Sequence, residues 1–154
     1  MSEMKTLIAD SACLIGLSRI GRLDVLHQLF GKIIIPEAVF HEVVILGKGR
    51  PGSDEVRNAK WIETRSVENQ LAVRIFRLHL GAGESEAMAL AFECGADFVI
   101  LDDKKAREIA ANVSLTVIIG TVALLNKASE KGIIGDLQSA LEDLRTAGFR
   151  FDIA

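Results

Sequence analysis

The apolar run Thr6-Leu7-Ile8-Ala9 stops at Asp10, and Phe98-Val99-Ile100-Leu101 stops at Asp102 and Asp103. In an open α/β sheet, ligands bind at the carboxyl ends of the strands. If both runs are central parallel strands, their acids fall on one edge. An aspartate after a strand often caps the next helix, and for a single strand that account would serve. For two strands it weakens, because carboxylates gathered at one edge repel each other. Glu42 follows Pro36 in a helical stretch and lies about 60° from Val39 and about 40° from Leu46, at roughly 100° per residue. It therefore borders an apolar stripe; a snorkelling or salt-bridged glutamate is the plain alternative. After Glu86 the chain reads Ala87-Met88-Ala89-Leu90-Ala91-Phe92, apolar on every side, as a buried helix would be. A glutamate opening such a helix can simply favour its dipole. Otherwise its carboxylate is aimed at something positive.

Converging carboxylates at Asp10, Glu42, Glu86 and Asp103, without a matching set of buried arginines, call for a cation. Oxygen-only ligands favour hard metals, hence Mg²⁺ or Mn²⁺ over zinc. Such ions at a solvent-facing edge suit phosphodiester hydrolysis, activating water and offsetting charge on the leaving oxygen. His27, His41 and His79 have no paired spacing and no HExxH pattern, and read as surface or boundary residues.

The elements that must position these acids follow from the pattern. Apolar runs alternate with helical stretches throughout, the mark of an α/β domain with a parallel sheet. Strands are expected at 5–9, 32–35, 61–67 (an edge strand), 98–101 and 115–119. Helices are expected at about 12–20, 23–30, 36–46, 70–79, 84–94, 104–111 and 121–131, with a last amphipathic helix capped by Asp136. The basic, glycine-rich stretch 47–53 reads as the flexible loop, either a plain connector or a segment that touches phosphates.

At 154 residues, 49% apolar and 25% charged, the chain suits a single domain with a full core and no disulfide staples. Cys13 and Cys94 lie far apart in apolar stretches and read as small core residues in a reducing compartment. No signal peptide or membrane span is evident, so a cytoplasmic protein is expected. The net charge of −3 gives no overall basic footprint for nucleic acid, although a local one is compatible with acids gathered in one site.

The run IADSACLIGLSRIGRLDVLHQLFGKIIIPEAVFHEVV resembles the opening of a PIN domain, close to the VapC-type toxin branch. LGAGESEAMALA, VILDDKKAR and IIGTVALLNKASEKGII continue the likeness in order over nearly the whole chain. The resemblance implies a three-layer α/β/α sandwich around a central parallel sheet, with Mg²⁺- or Mn²⁺-dependent ribonuclease activity. Its acidic positions fall on Asp10, Glu42, Glu86 and Asp103; Asp102 ranks below Asp103 because many relatives carry a neutral residue there. Ser11 and Thr121 match small hydroxyl positions near the site. Ala123 and Ser129 depart from the glycine and lysine that similar sequences often carry, which bears on substrate contacts and leaves the acids intact.

Lys104, Lys105 and Arg107 form the nearest basic cluster for an RNA backbone, or else a solvated helix face. Expected partners are RNA, an antitoxin protein if the chain is a toxin, and a second copy, since mean hydropathy is +0.30. The competing reading is a PIN-like module that docks RNA or protein without cutting. A haloacid-dehalogenase-like phosphatase would need an aspartate at Ala12, and a receiver domain carries its paired acids near the start of the chain; both fit poorly.

Overall fold

The structure, a computed structural model, describes residues 5–113, 115 and 118–151. Short runs of Ile, Leu and Val form β1 (Thr6–Ile8), β2 (Lys32–Pro36), β3 (Ile62–Arg65), β4 (Phe98–Ile100) and β5 (Ile118–Ile119). All pair in parallel, in the order β3-β2-β1-β4-β5. Residues 116 and 117 of the strand expected at 115–119 lie outside the described residues. The register sets Leu7 opposite Ile33 and Phe98, so β1 lies between β2 and β4. The strands that end before Asp10 and before Asp102-Asp103 are therefore direct neighbours.

Helices α1 (Ser11–Arg19), α2 (Val25–Leu29), α3 (Glu37–Phe40), α4 (Ser53–Asn58), α5 (Gln70–Phe76), α6 (Ala82–Cys94), α7 (Lys104–Asn112), α8 (Thr121–Glu130) and α9 (Leu137–Thr146) surround this sheet. Strand side chains alternate between its two faces. Leu7, Ile33, Ile35 and Ile100 pack with Leu14 and Leu17 of α1, Leu124 and Leu125 of α8, and Leu141 and Leu144 of α9. Ile8, Ile34, Val99 and Leu101 pack with Met88 and Leu90 of α6 and with Ala106 and Ala110 of α7. The result is a three-layer α/β/α sandwich. Helices on both faces explain why the central strands read as continuous apolar runs. Each large aliphatic side chain so buried contributes about 1.5–3 kcal/mol. At the edge, β3 carries charge instead: Glu63 pairs with Lys32 at 3.6 Å and accepts a hydrogen bond from Arg65 Nε at 2.7 Å. Charged edges discourage pairing with another sheet. Among the described residues no helix is long and apolar enough to cross a membrane.

Two local features depart from the expected pattern, and both bear on Glu42. After Phe40 the helix widens into a π-helical turn, His41–Leu46. A wider turn changes the angular step, so Leu46, expected on the apolar stripe, is 70% exposed, while Val43 and Val44 are buried. The turn ends at Gly47, where a β-carbon would lie 2.4 Å from the Val43 carbonyl oxygen; only glycine fits. The stretch beyond the loop then forms α4, a short polar helix that periodicity does not reveal. Its Ser53 hydroxyl, fully buried, donates to the Val44 carbonyl at 2.9 Å and so holds the π turn in place. Ser53→Ala should strip a buried acceptor of its partner and lower the unfolding free energy by about 1–3 kcal/mol. A urea midpoint unchanged from wild type would show that this tie does not hold the turn.

Candidate active site

Asp10 follows β1, is 4% exposed and caps α1, its Oδ1 accepting from the Cys13 N–H at 2.9 Å. Its Oδ2 accepts from the Asp102 N–H at 3.2 Å, across 92 residues of chain. One side chain thus fastens the ends of β1 and β4 to the start of α1. Asp103 caps α7 in the same way, accepting from the Ala106 N–H at 2.9 Å. The plain capping account of these aspartates is therefore true, and it accompanies the cluster: caps at the ends of adjacent parallel strands must share an edge.

That edge opens into a cleft of about 720 Å³. Asp10, Glu37, Glu42, Glu84 and Asp103 line it, with His41, Ser11 and the backbone of Gly81, Ala82 and Gly83. No lysine or arginine is among these described lining residues. The ion pairs Lys32–Glu63, Arg57–Asp54 and Arg65–Glu63 involve none of them. Glu42 is oriented by the Ser11 hydroxyl, which donates to its Oε2 at 2.7 Å. Gly83, in the first turn of α6, permits this: a β-carbon there would sit 3.1 Å from Glu42 Oε2 and 3.3 Å from Val39 Cγ2. The small residues of Gly81-Ala82-Gly83 thus let α6 approach closely and deliver Glu84 to the cleft.

The expected acids are not all in this cleft. Asp10, Glu42 and Asp103 line it; Glu86 does not. The Glu86 carboxylate accepts from the Ala38 N–H at 3.0 Å, satisfying a free donor in the first turn of α3. Glu84, two residues earlier and so about 200° around the helix, takes the place expected of Glu86. Nothing in the all-apolar stretch that follows favours one glutamate over the other; the clue was the GAG triplet, a sign of close backbone approach. Glu37 was likewise missed; its carboxylate accepts from the Ser66 hydroxyl. His41, read from the sequence as a surface or boundary residue, is exposed and stands at the cleft wall. Asp102 turns away from the cleft. Its two oxygens accept from the Thr121 N–H at 2.7 Å and the Thr121 hydroxyl at 2.6 Å, so it holds the start of α8. Of the basic cluster, Lys104 and Arg107 line a neighbouring cleft with Asp102, and Lys105 is exposed outside it.

Burial governs the electrostatics. Loss of water pushes the Asp10 carboxyl up to about 8, helped by the Asp102 charge, against the opposing pull of its two N–H donors. Glu84 is raised by burial first, then by Asp103 and Glu42. Asp102 is raised by burial, with Thr121 and Arg107 pulling it back. Beneath them burial also raises the Cys13 thiol, as befits a small core residue. Among the described residues no three acid, histidine or cysteine side chains are drawn together tightly enough to form a ready metal cage. The donor set is still of the kind a hard cation takes: carboxylate and hydroxyl oxygens around an open cleft with no cation of its own. In chemistry, though not in preformed geometry, these residues fit Mg²⁺ or Mn²⁺.

The raised carboxyl has a consequence for stability. Burial raises the Asp10 carboxyl of the folded chain above the ordinary value of about 3.9 that it has in the unfolded chain. Linkage then makes this group's contribution fullest below about pH 4 and lost as pH climbs towards 8. Glu84 and Asp102 act in the same direction. In EDTA, Asp10→Asn should therefore show a melting temperature that falls less between about pH 5 and 8 than that of wild type. Parallel slopes would show that the Asp10 carboxyl is not raised.

A family model described as PIN domain matches residues 6–154. No curated protein matches the chain. The match spans every acid lining the cleft and nearly the full sequence: the chain belongs to the PIN domain family, whose members are in general nucleases.

Proposed function

We propose that this PIN domain is a divalent-metal-dependent endoribonuclease that hydrolyses RNA phosphodiester bonds in the acidic cleft. The observation that carries the proposal is the cleft itself: five carboxylates at the carboxyl edge of the sheet, with no lysine or arginine among the described residues lining it. A phosphate would be repelled from such a site without a cation. Asp10, Glu42, Glu84 and Asp103 would hold the ion; when bound, Mg²⁺ or Mn²⁺ supplies Lewis acidity and offsets charge on the phosphoryl oxygens.

The chain's own residues prepare this arrangement. Two N–H donors fix the Asp10 carboxylate, and each of its oxygens keeps a further lone pair for a ligand. Ser11 holds one oxygen of Glu42, and the Ala106 N–H holds one oxygen of Asp103. Glu86 acts one step back: by capping α3 it sets the helix from which Glu42 projects. These bonds orient the carboxylates one by one, and an ion would still have to draw them together, since among the described residues they form no ready cage.

A toxin role of the VapC type, with an antitoxin protein as partner, belongs to the same proposal, as does self-association. Both would cover apolar surface, and Leu71, Ile75 and Leu78, on α5 and just beyond it, are 62%, 55% and 75% exposed. Light scattering tests the homodimer, and a monomer mass removes it.

The central test is cleavage of a 5′-fluorescein single-stranded RNA with Mg²⁺ or Mn²⁺ against EDTA. Wild type should cut only with the ion, and Asp10→Asn should lose about 10²-fold or more in rate. Glu84→Gln should cost clearly more than Glu86→Gln, since only Glu84 lines the cleft. A wild-type chain that binds the RNA yet cuts with neither ion would be a binding module instead.

A further inference from the structure

Behind Asp103 lies a second cleft, of about 650 Å³, with the opposite character. Asp102 lines it, so the consecutive aspartates Asp102 and Asp103 form the wall between the two. Its other lining residues include Lys104, Arg107, Asn126, Phe149, Arg150 and Phe151. The Asp102 carboxylate is already engaged, accepting two hydrogen bonds from Thr121. The cleft is therefore basic and aromatic where the first is acidic. The two also adjoin on their outer side: a small cavity of about 180 Å³ shares Ala12 with the acidic cleft and Phe149 with the basic one.

The aromatic pair is packed against the core. The Phe149 ring presses on Gly16 so closely that a β-carbon there would lie 2.8 Å away. Phe151 stands 6.2 Å from it, ring centre to ring centre, tilted by 47°, with the Arg145 guanidinium 5.2 Å from the Phe151 ring. Both rings pack on the core yet remain half-buried in the cleft wall. A partly exposed π face beside lysine and arginine is the chemistry that takes an unpaired base and its phosphate.

We propose that this second cleft binds an unpaired nucleotide of the substrate RNA next to the bond to be cut. The base stacks on the Phe149–Phe151 platform, and the backbone phosphate lies on Lys104, Arg107 and Arg150. The inference rests on the ribonuclease reading of the acidic cleft and adds how the strand is held. It is also compatible with a net charge of −3, because a basic footprint for nucleic acid need only be local, as it is in this cleft.

The test compares two fluorescein-labelled ten-nucleotide strands in EDTA, oligouridine and an abasic strand with the same phosphates, by fluorescence anisotropy. Wild type should prefer the base-bearing strand. Phe151→Leu keeps an apolar side chain against the core but removes the π face; it should weaken oligouridine binding roughly five- to hundred-fold and leave the abasic strand unchanged. Phe151→Trp should restore the preference and show tryptophan quenching when oligouridine is added. Lys104→Ala with Arg150→Ala should weaken both strands and flatten the salt dependence. Equal binding of the two strands by wild type, or full oligouridine affinity in a folded Phe151→Leu protein, would overturn the subsite. With metal-dependent cleavage by wild type intact, that result would leave the ribonuclease proposal standing; a wild type that neither binds nor cuts RNA would remove both.

Discussion

Negative charge crowded at one edge of a parallel sheet is the constraint around which the molecule is built. Strands β1 and β4 are neighbours, and each is followed by an aspartate that the next helix needs as its cap. Capping fixes these side chains on short stems at the strand ends, Asp10 buried and Asp103 exposed in the cleft wall. The Asp102 N–H reaching Asp10 Oδ2 then locks the two strand ends together. Repulsion is thus built into the same bonds that specify the fold. Burial raises the Asp10 carboxyl, which eases this repulsion; on the reading proposed above, a bound cation would ease it further.

The turn at 102–103 separates this edge into two surfaces. Asp103 faces the cleft of carboxylates, and Asp102 is bound over to Thr121 on the other side, beside Arg107. Two adjacent acids of the same type therefore do different jobs, one lining the acidic cleft and one spent on the start of α8. Their separation keeps the arginine-bearing cleft from cancelling the acidic one. Asp103 lines the acidic cleft while Lys104 and Arg107, only a few residues on, line the other.

Much of this was legible in the residues, for reasons that can be named. Asp10 and Asp103 could be read because an apolar strand followed by an acid is a local signal and parallel pairing does the rest. The sandwich could be read because both faces of the central strands are covered, leaving long aliphatic runs. The choice between Glu84 and Glu86 could not. It depends on the rotation of α6 about its axis, and a helix apolar all round offers no phase. The position of Glu42 was legible only in part: the step of about 100° per residue fails in a π turn, which is imposed by packing against Ser53 and by Gly47. The helix α4 was hidden because six mostly polar residues after a glycine-rich loop carry no stripe.

Gly83 sets a limit on how this site can be altered. Its missing side chain leaves the gap through which Ser11 and Glu42 meet against the first turn of α6. Anyone redesigning the cleft for a new substrate has latitude at its rim, where Leu46 and His41 project into solvent. At Gly83 even one added methyl group would have to displace a carboxylate or a valine. Remodelling of this enzyme must therefore proceed from the outside, around a seam where two helices already touch.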